Sequence, residues 1–216
     1  MELYFAYPST YSQKTLLALY EKGLDFTPKP VNLRDPAERE SYRQLYPLGK
    51  IPLLIRDDGR LIPESTIIIE YLEDTFPTEP PLIPKDPEAA RQVRFLDRMC
   101  DQYLNDPVVS LIFESMKPEA SQNLELIEKS SELIGVLYGL LNQQLTGRKF
   151  LAGDTFTMAD CAAIPALYYA RSFAEFSIFE QIGAYWERIQ EHPSWKRVRK
   201  EAGPHIKAIL GETAQA

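Results

Sequence analysis

The run Tyr7-Pro8-Ser9-Thr10-Tyr11-Ser12 gathers hydroxyls where an apolar strand pattern gives way to a helical one. A hydroxyl beside a helix N-terminus can donate to an anion, because free amide groups and the positive end of the dipole already favour negative charge there. Glu64-Ser65 is a second such place. Ser65 opens a strong helical pattern, so its hydroxyl and amide suit a carboxylate, while Glu64, just outside the helix, suits a cation. Lys50, ahead of Ile51-Pro52, supplies an ammonium that can pair with an anion. Singly, each has an ordinary structural use. Ser12 and Ser65 can be helix caps, Ser9 a turn serine, Lys50 and Glu64 solvent charges, and Pro52 a plain turn.

Other chemistries are poorly provided for. The two cysteines, Cys100 and Cys161, are far apart in helical patterns, which leaves neither a CxxC pair nor a four-ligand zinc site and suits two small core residues in a reducing compartment. The two histidines, His192 and His205, lack Cys, Asp or Glu at ligand spacing, so no metal is expected. A formal charge of −7 argues against nucleic acid as a partner. The cluster Lys196, Arg197, Arg199, Lys200 reads as a solvated helix face. Met1-Glu2-Leu3-Tyr4 does not open a signal peptide, and no stretch reaches the roughly 18 apolar residues of a membrane helix; the expectation is a cytoplasmic protein with no membrane partner.

The elements that must position these residues fall into two blocks. Within residues 1–76, Leu3–Ala6 reads as a buried strand and Ser12–Lys22 as a helix ended by Gly23. Phe26–Leu33 alternates as a second strand, Pro36–Leu45 is weakly helical, and Ile51–Arg56 and Arg60–Pro63 form strands about an Asp57-Asp58-Gly59 turn. Ser65–Phe76 is a strong helix, giving the order βαβαββα and, with a right-handed crossover, a mixed four-stranded α/β sheet flanked by helices. Residues 77–87 hold Pro77, Pro80, Pro81, Pro84 and Pro87, a linker composition. Residues 88–216 read as an all-α helical bundle. Its helical stretches are Glu88–Phe113 with a kink or break at Pro107, Asn123–Leu145, Thr157–Ala170, Phe179–Glu191 and Trp195–Leu210, the third opening with a capping-box-like Thr157-Met158-Ala159-Asp160.

Two ordered blocks carry a family resemblance. Tyr46-Pro47-Leu48-Gly49-Lys50-Ile51-Pro52, followed by Ile62-Pro63-Glu64-Ser65-Thr66-Ile67-Ile68-Ile69-Glu70-Tyr71-Leu72, resembles the glutathione-site signature "NPxGKVP" and then "ES-x-AI-x-x-YL" of cytosolic glutathione transferases. Phe150-Leu151-Ala152-Gly153-Asp154 with Thr155–Asp160 resembles the "FLAGD…S-x-AD" block of the same family. Tyr46 departs from the usual Asn, and Pro63 before Glu64 is common in bacterial members. The similarity extends over nearly the whole chain.

The resemblance implies a thioredoxin-like first domain and glutathione as co-substrate. Ser65 would hold the γ-glutamyl carboxylate and Glu64 the ammonium. Ile51, before a cis Pro52, would pair with the cysteinyl backbone, and Lys50 would reach the glycyl carboxylate. A thiol with a pKa near ~8.5 is only partly ionised at neutral pH, so the task is to stabilise thiolate. Ser9, at the position of the catalytic serine in theta-, phi- and zeta-like enzymes, is the first candidate donor; Ser12, near the beta-class cysteine and the serine of bacterial ether-cleaving relatives, is the second; and Tyr11, at the beta-class cysteine itself, is the third. Asp101, in Asp101-Gln102-Tyr103-Leu104, matches a residue that reaches across a homodimer to the ammonium. Met99, Tyr103 and residues near Phe113 are candidates for an apolar second pocket, with core packing their default role. The implied activity is glutathione transfer to a small hydrophobic electrophile. The alternatives are a non-catalytic interaction protein of the stringent-starvation kind, or a glutathione-dependent reductase or isomerase, although the Ser-Ser-Cys run of zeta-like isomerases is absent.

Overall fold

In the computed structural model, which describes residues 1–176 and 178–210, β1 (Glu2–Phe5) turns Leu3 and Phe5 into the core and becomes an inner strand of a four-stranded sheet. β2 (Thr27–Pro30) pairs parallel with β1; β3 (Leu53–Ile55) and β4 (Leu61–Pro63) follow antiparallel, in the order β2-β1-β3-β4. The sheet is mixed and four-stranded, as the sequence indicates. Its strands are shorter than the alternation suggests: Val31 N–H still reaches Phe5 O at 2.8 Å, but Asn32 N–H turns to the Glu38 carboxylate. β2 is an edge strand carrying Pro28 and Pro30. Thr27 N–H donates to Met1 O and Val31 N–H to Phe5 O, so the two prolines lie in the register whose amide positions face outward, where no ladder bond is lost.

α1 (Thr10–Glu21) and α3 (Ser65–Thr75) pack together, and α2 (Pro36–Leu45) is capped by Asp35, whose carboxylate accepts from Ala37 and Glu38 N–H. α1 begins two residues before the expected Ser12, because Ser9 is its N-cap and accepts from Ser12 N–H at 3.3 Å. Among the described residues, one compact unit comprises Met1–Thr78 with residues 197–210; the other is Glu79–Lys196.

The second unit is helical: α4 (Pro87–Met99), α5 (Asp106–Ser115), α6 (Leu124–Gln144), α7 (Met158–Ala170), α8 (Glu180–Gln190) and the first turn of α9 (Pro193–Leu210). The expected long helix ending at Phe113 does not simply kink at Pro107. A π-helical turn, Cys100–Asn105, separates α4 from α5, and Asp106 N–H donates to Asp101 O, five residues back. Pro107 has no N–H and its ring crowds the carbonyl four residues earlier, so the ladder widens before it. All thirteen residues of α7 are buried. Trp186 and Trp195 meet edge-on at 6.1 Å between ring centroids, beside Tyr168 and Phe176.

Cys100 and Cys161 are both fully buried and outside any disulfide, so they serve as core residues. Among the described residues no helix is long and apolar enough to cross a membrane, and no group of three or more His, Cys, Asp or Glu is placed to hold a metal ion.

Candidate active site

The register of the sheet assembles the first unit's site. Tyr4 lies opposite Leu53, and Leu53 opposite Pro63, so one row crosses β1, β3 and β4. The chain leaving β1 through Tyr7 and Ser9, the chain entering β3 through Lys50, Ile51 and Pro52, and the chain leaving β4 through Glu64 and Ser65 therefore meet at one end of the sheet. Open α/β sheets hold ligands at the carboxyl ends of their strands, and β1 and β4 both end here.

The β1–α1 turn is fixed from several sides. Ser9 N–H donates to Ala6 O at 3.0 Å, and Gln13 Nε2 donates to Tyr7 O at 2.8 Å. Ser12 is 0% exposed and its Oγ accepts Ala6 N–H at 3.3 Å. The Tyr7 ring stacks on His205 of α9 at 4.4 Å between centroids, and burial, followed by the nearby Glu201 carboxylate, raises the phenol's pKa. Ser9 is half-buried at the helix tip; because its Oγ accepts from an amide, its own proton is available to donate. Tyr11 is half-buried in the first turn of α1.

Gly49 turns the chain ahead of β3 at φ +61°, where a Cβ would meet the Arg43 side chain at 3.2 Å. Tyr42 OH donates to Lys50 O at 2.7 Å, and burial pushes that phenol's pKa up, so it stays a donor. The Lys50 side chain is exposed and the Ile51–Pro52 peptide bond is cis. At α3, Glu64 is the one non-glycine residue with positive φ among the described residues (φ 70°), a conformation that costs about 1–3 kcal/mol and persists only where the surroundings impose it. Glu64 is exposed and makes no side-chain cap bond, while Ser65 is buried at the first helical position.

Residues of the second unit are placed as follows. Asp101 is half-buried on the π-helical turn. Tyr103 is 48% and Phe113 60% exposed, so neither is the core residue that periodicity favours; Met99 is half-buried. In the basic cluster, Lys196 pairs with Glu191, while Arg197 pairs with Glu201 at 3.1 Å and covers the Tyr20 ring.

Two side chains at the site lie outside the expected set. Lys14, 1% exposed in α1, donates from Nζ to Thr66 Oγ1 at 2.8 Å, tying the opening turns of α1 and α3 together. The other is Gln13. In the sequence Gln13 and Lys14 read as ordinary residues of a helical run, and their burial leaves no spacing signal.

Comparison with known proteins agrees with this architecture. Residues 3–81 match the family model "Glutathione S-transferase, N-terminal domain" and residues 104–193 match "Glutathione S-transferase, C-terminal domain". The maleylacetoacetate isomerase of Pseudomonas aeruginosa is 30% identical over 96% of this chain and 100% of its own length. Glutathione S-transferase 1-6 from Anopheles dirus species B superposes with a TM-score of 0.85 at 25% identity, covering 97% of this chain and 99% of that one. A glutathione S-transferase from Methylobacillus flagellatus, solved with GSH bound, superposes with a TM-score of 0.82 at 28% identity, covering 91% of this chain and 98% of that one. The chain belongs to the glutathione S-transferase family.

Proposed function

We propose that the protein is a glutathione transferase that ionises the glutathione thiol for attack on a small hydrophobic electrophile. The observation that carries this reading is the Tyr4–Leu53–Pro63 row, which brings Ser9, Lys50-Ile51-Pro52 and Glu64-Ser65 to one end of the sheet. Ser65 and the α3 amides receive the γ-glutamyl carboxylate, and the Glu64 carboxylate takes the ammonium. The Ile51 backbone pairs with the cysteinyl residue, and Lys50 takes the glycyl carboxylate. Ser9 donates to the thiolate and favours its charged form. Ser12, whose hydroxyl is buried against Ala6, and Tyr11 rank below Ser9. The thiolate then attacks an electrophilic carbon, forming a carbon–sulfur bond as the leaving group departs with its electron pair. A homodimer with Asp101 reaching a neighbouring ammonium, a cytoplasmic location, and a domain division of 1–76 and 88–216 about a linker belong to the same proposal.

The isomerase from Pseudomonas aeruginosa supports a second reading, a glutathione-dependent isomerase in which the thiolate adds to a conjugated double bond and is expelled after rotation. Retention on immobilised glutathione, followed by assays with an aromatic halide and with maleylacetoacetate, separates the readings. Conjugate formation supports transfer, and isomerisation alone supports the second. Retention without turnover points to an interaction protein, and failure to bind glutathione removes both enzymatic readings.

A further inference from the structure

A lysine side chain that is buried carries a desolvation cost unless its ammonium is well bonded, so its placement calls for a reason. Lys14 is one of the largest fully buried side chains, and its Nζ donates to a threonine 52 residues away. The bond joins two particular places. Lys14 lies one turn beyond Ser9, the N-cap of α1; Thr66 follows Ser65 in the first turn of α3. The two ends of the proposed ligand site, the thiol end at Ser9 and the carboxylate end at Ser65, are therefore held in one register by this cross-link. α1 and α3 also pack against each other, with Leu16 and Ile68 both buried, and apolar packing resists separation but allows sliding more readily than a directed hydrogen bond. Glu70, one turn further along α3 on the face of Thr66, is the acidic group that this part of α3 presents.

We propose that Lys14 is a positioning residue for thiol activation: through Thr66 it sets the register between the amino ends of α1 and α3, and so the distance from the Ser9 hydroxyl to a thiol whose γ-glutamyl end is anchored at Ser65. The proposal rests on the glutathione-site reading. A hydrogen bond to a charged group weakens steeply with length and angle, so a small slip should appear in the thiol pKa before it appears in overall binding.

The test is ultraviolet titration of bound glutathione thiolate, with affinity by calorimetry, in wild type, Lys14→Met, Lys14→Arg and Thr66→Val. The wild type should lower the thiol pKa relative to free glutathione. Lys14→Met should raise the bound-thiol pKa by about one unit, and Thr66→Val should move it the same way. Lys14→Arg should restore most of the loss, and Lys14→Met combined with Thr66→Val should shift the pKa little more than Lys14→Met alone. If Lys14→Met fails to fold, Thr66→Val decides, since it removes the acceptor without disturbing the lysine. Unchanged thiol pKa in the folded variants, even with lowered thermal stability, overturns the proposal and leaves Lys14 a core residue. A wild type that binds glutathione without lowering its thiol pKa, or does not bind it, removes the site reading and this inference together, a result visible before any variant is made.

Discussion

The helix starts at α3 and α7 solve the same problem in opposite ways. At α7 the chain supplies its own anion. The Asp160 carboxylate accepts from Leu151 N–H at 3.0 Å, Thr157 N–H at 2.9 Å, Thr157 Oγ1 at 3.0 Å and Tyr185 OH at 3.0 Å, with no exposure to solvent. At α3 the neighbouring carboxylate, Glu64, is exposed, makes no cap bond and is held at φ 70°. The first start is closed and serves folding. The second leaves helix-end amides for an anion from outside, and its local conformation is unfavourable without contributing to the core. A binding site can thus be told from a structural cap by asking which helix ends the chain has not capped for itself.

Removing the internal anion should have the largest effect. Asp160→Ala leaves two buried amides and two hydroxyls without their acceptor and should cost about 4 kcal/mol in denaturant unfolding. A loss under ~1 kcal/mol would dissolve the contrast with α3.

Acidity probes the same group. Burial, opposed by the hydrogen bonds from Leu151, Thr157 and Tyr185, pushes the Asp160 pKa up from 3.8 to about 6. The folded state therefore holds this proton more tightly than the unfolded state. The associated stability is fully present below pH 3.8 and is lost as pH rises through about 6, a change on the order of 3 kcal/mol. Stability–pH curves of the wild type and Asp160→Asn should differ by this slope, and parallel curves would show that the carboxyl titrates normally. This cost of burial is compatible with the cost of deletion, because deletion strands donors that are built around an acceptor.

Substitutions at α3 should act on affinity instead. Ser65→Ala and Glu64→Ala should each weaken glutathione binding by about 1.5–3 kcal/mol, measured calorimetrically, with little unfolding. Glu64→Gly sharpens the point. It relieves a positive-φ residue and should gain up to about 1 kcal/mol of stability while still losing affinity. Stability and affinity falling together would make Glu64 an ordinary structural residue.

At Ser9 the expected effects are modest. Ser9→Ala removes the α1 cap, worth about 1 kcal/mol, and should raise the pKa of bound thiol so that turnover at neutral pH falls more than affinity. Ser12→Ala, which loses the acceptor of Ala6 N–H, should leave the thiol titration nearly unchanged. A thiol shift in Ser12→Ala alone would transfer the donor role to it.

What could be read from the chain was what is local. Thr157 and Asp160 are three residues apart, so their capping arrangement is visible in the letters, as are Glu64-Ser65 at the head of a helical pattern and the proline-rich stretch between blocks. The further partners of Asp160, Leu151 and Tyr185, come from another loop and another helix and leave no spacing signal. Ser9 and Ser12 exchange roles relative to the simplest reading because either can begin the same periodic run, and only the bond from Ser12 N–H to Ser9 Oγ decides. Pro107 announced a disturbance but not its form, since a kink and a π turn both accommodate a missing amide. Lys14 read as part of an ordinary helix, and its partner lies on a different one.

The paired prolines of β2 bear on how crowded chains behave. A sheet grows by offering amides at its rim, and at positions 28 and 30 this rim has none to offer. The sheet is thereby blunted on that side by composition. Two neighbouring copies, or a partly folded chain emerging beside a finished one, find outward carbonyls there but no amides to complete a ladder. Pro28 and Pro30 thus blunt that rim against edge-to-edge growth, a contribution invisible in any assay of a dilute, folded protein.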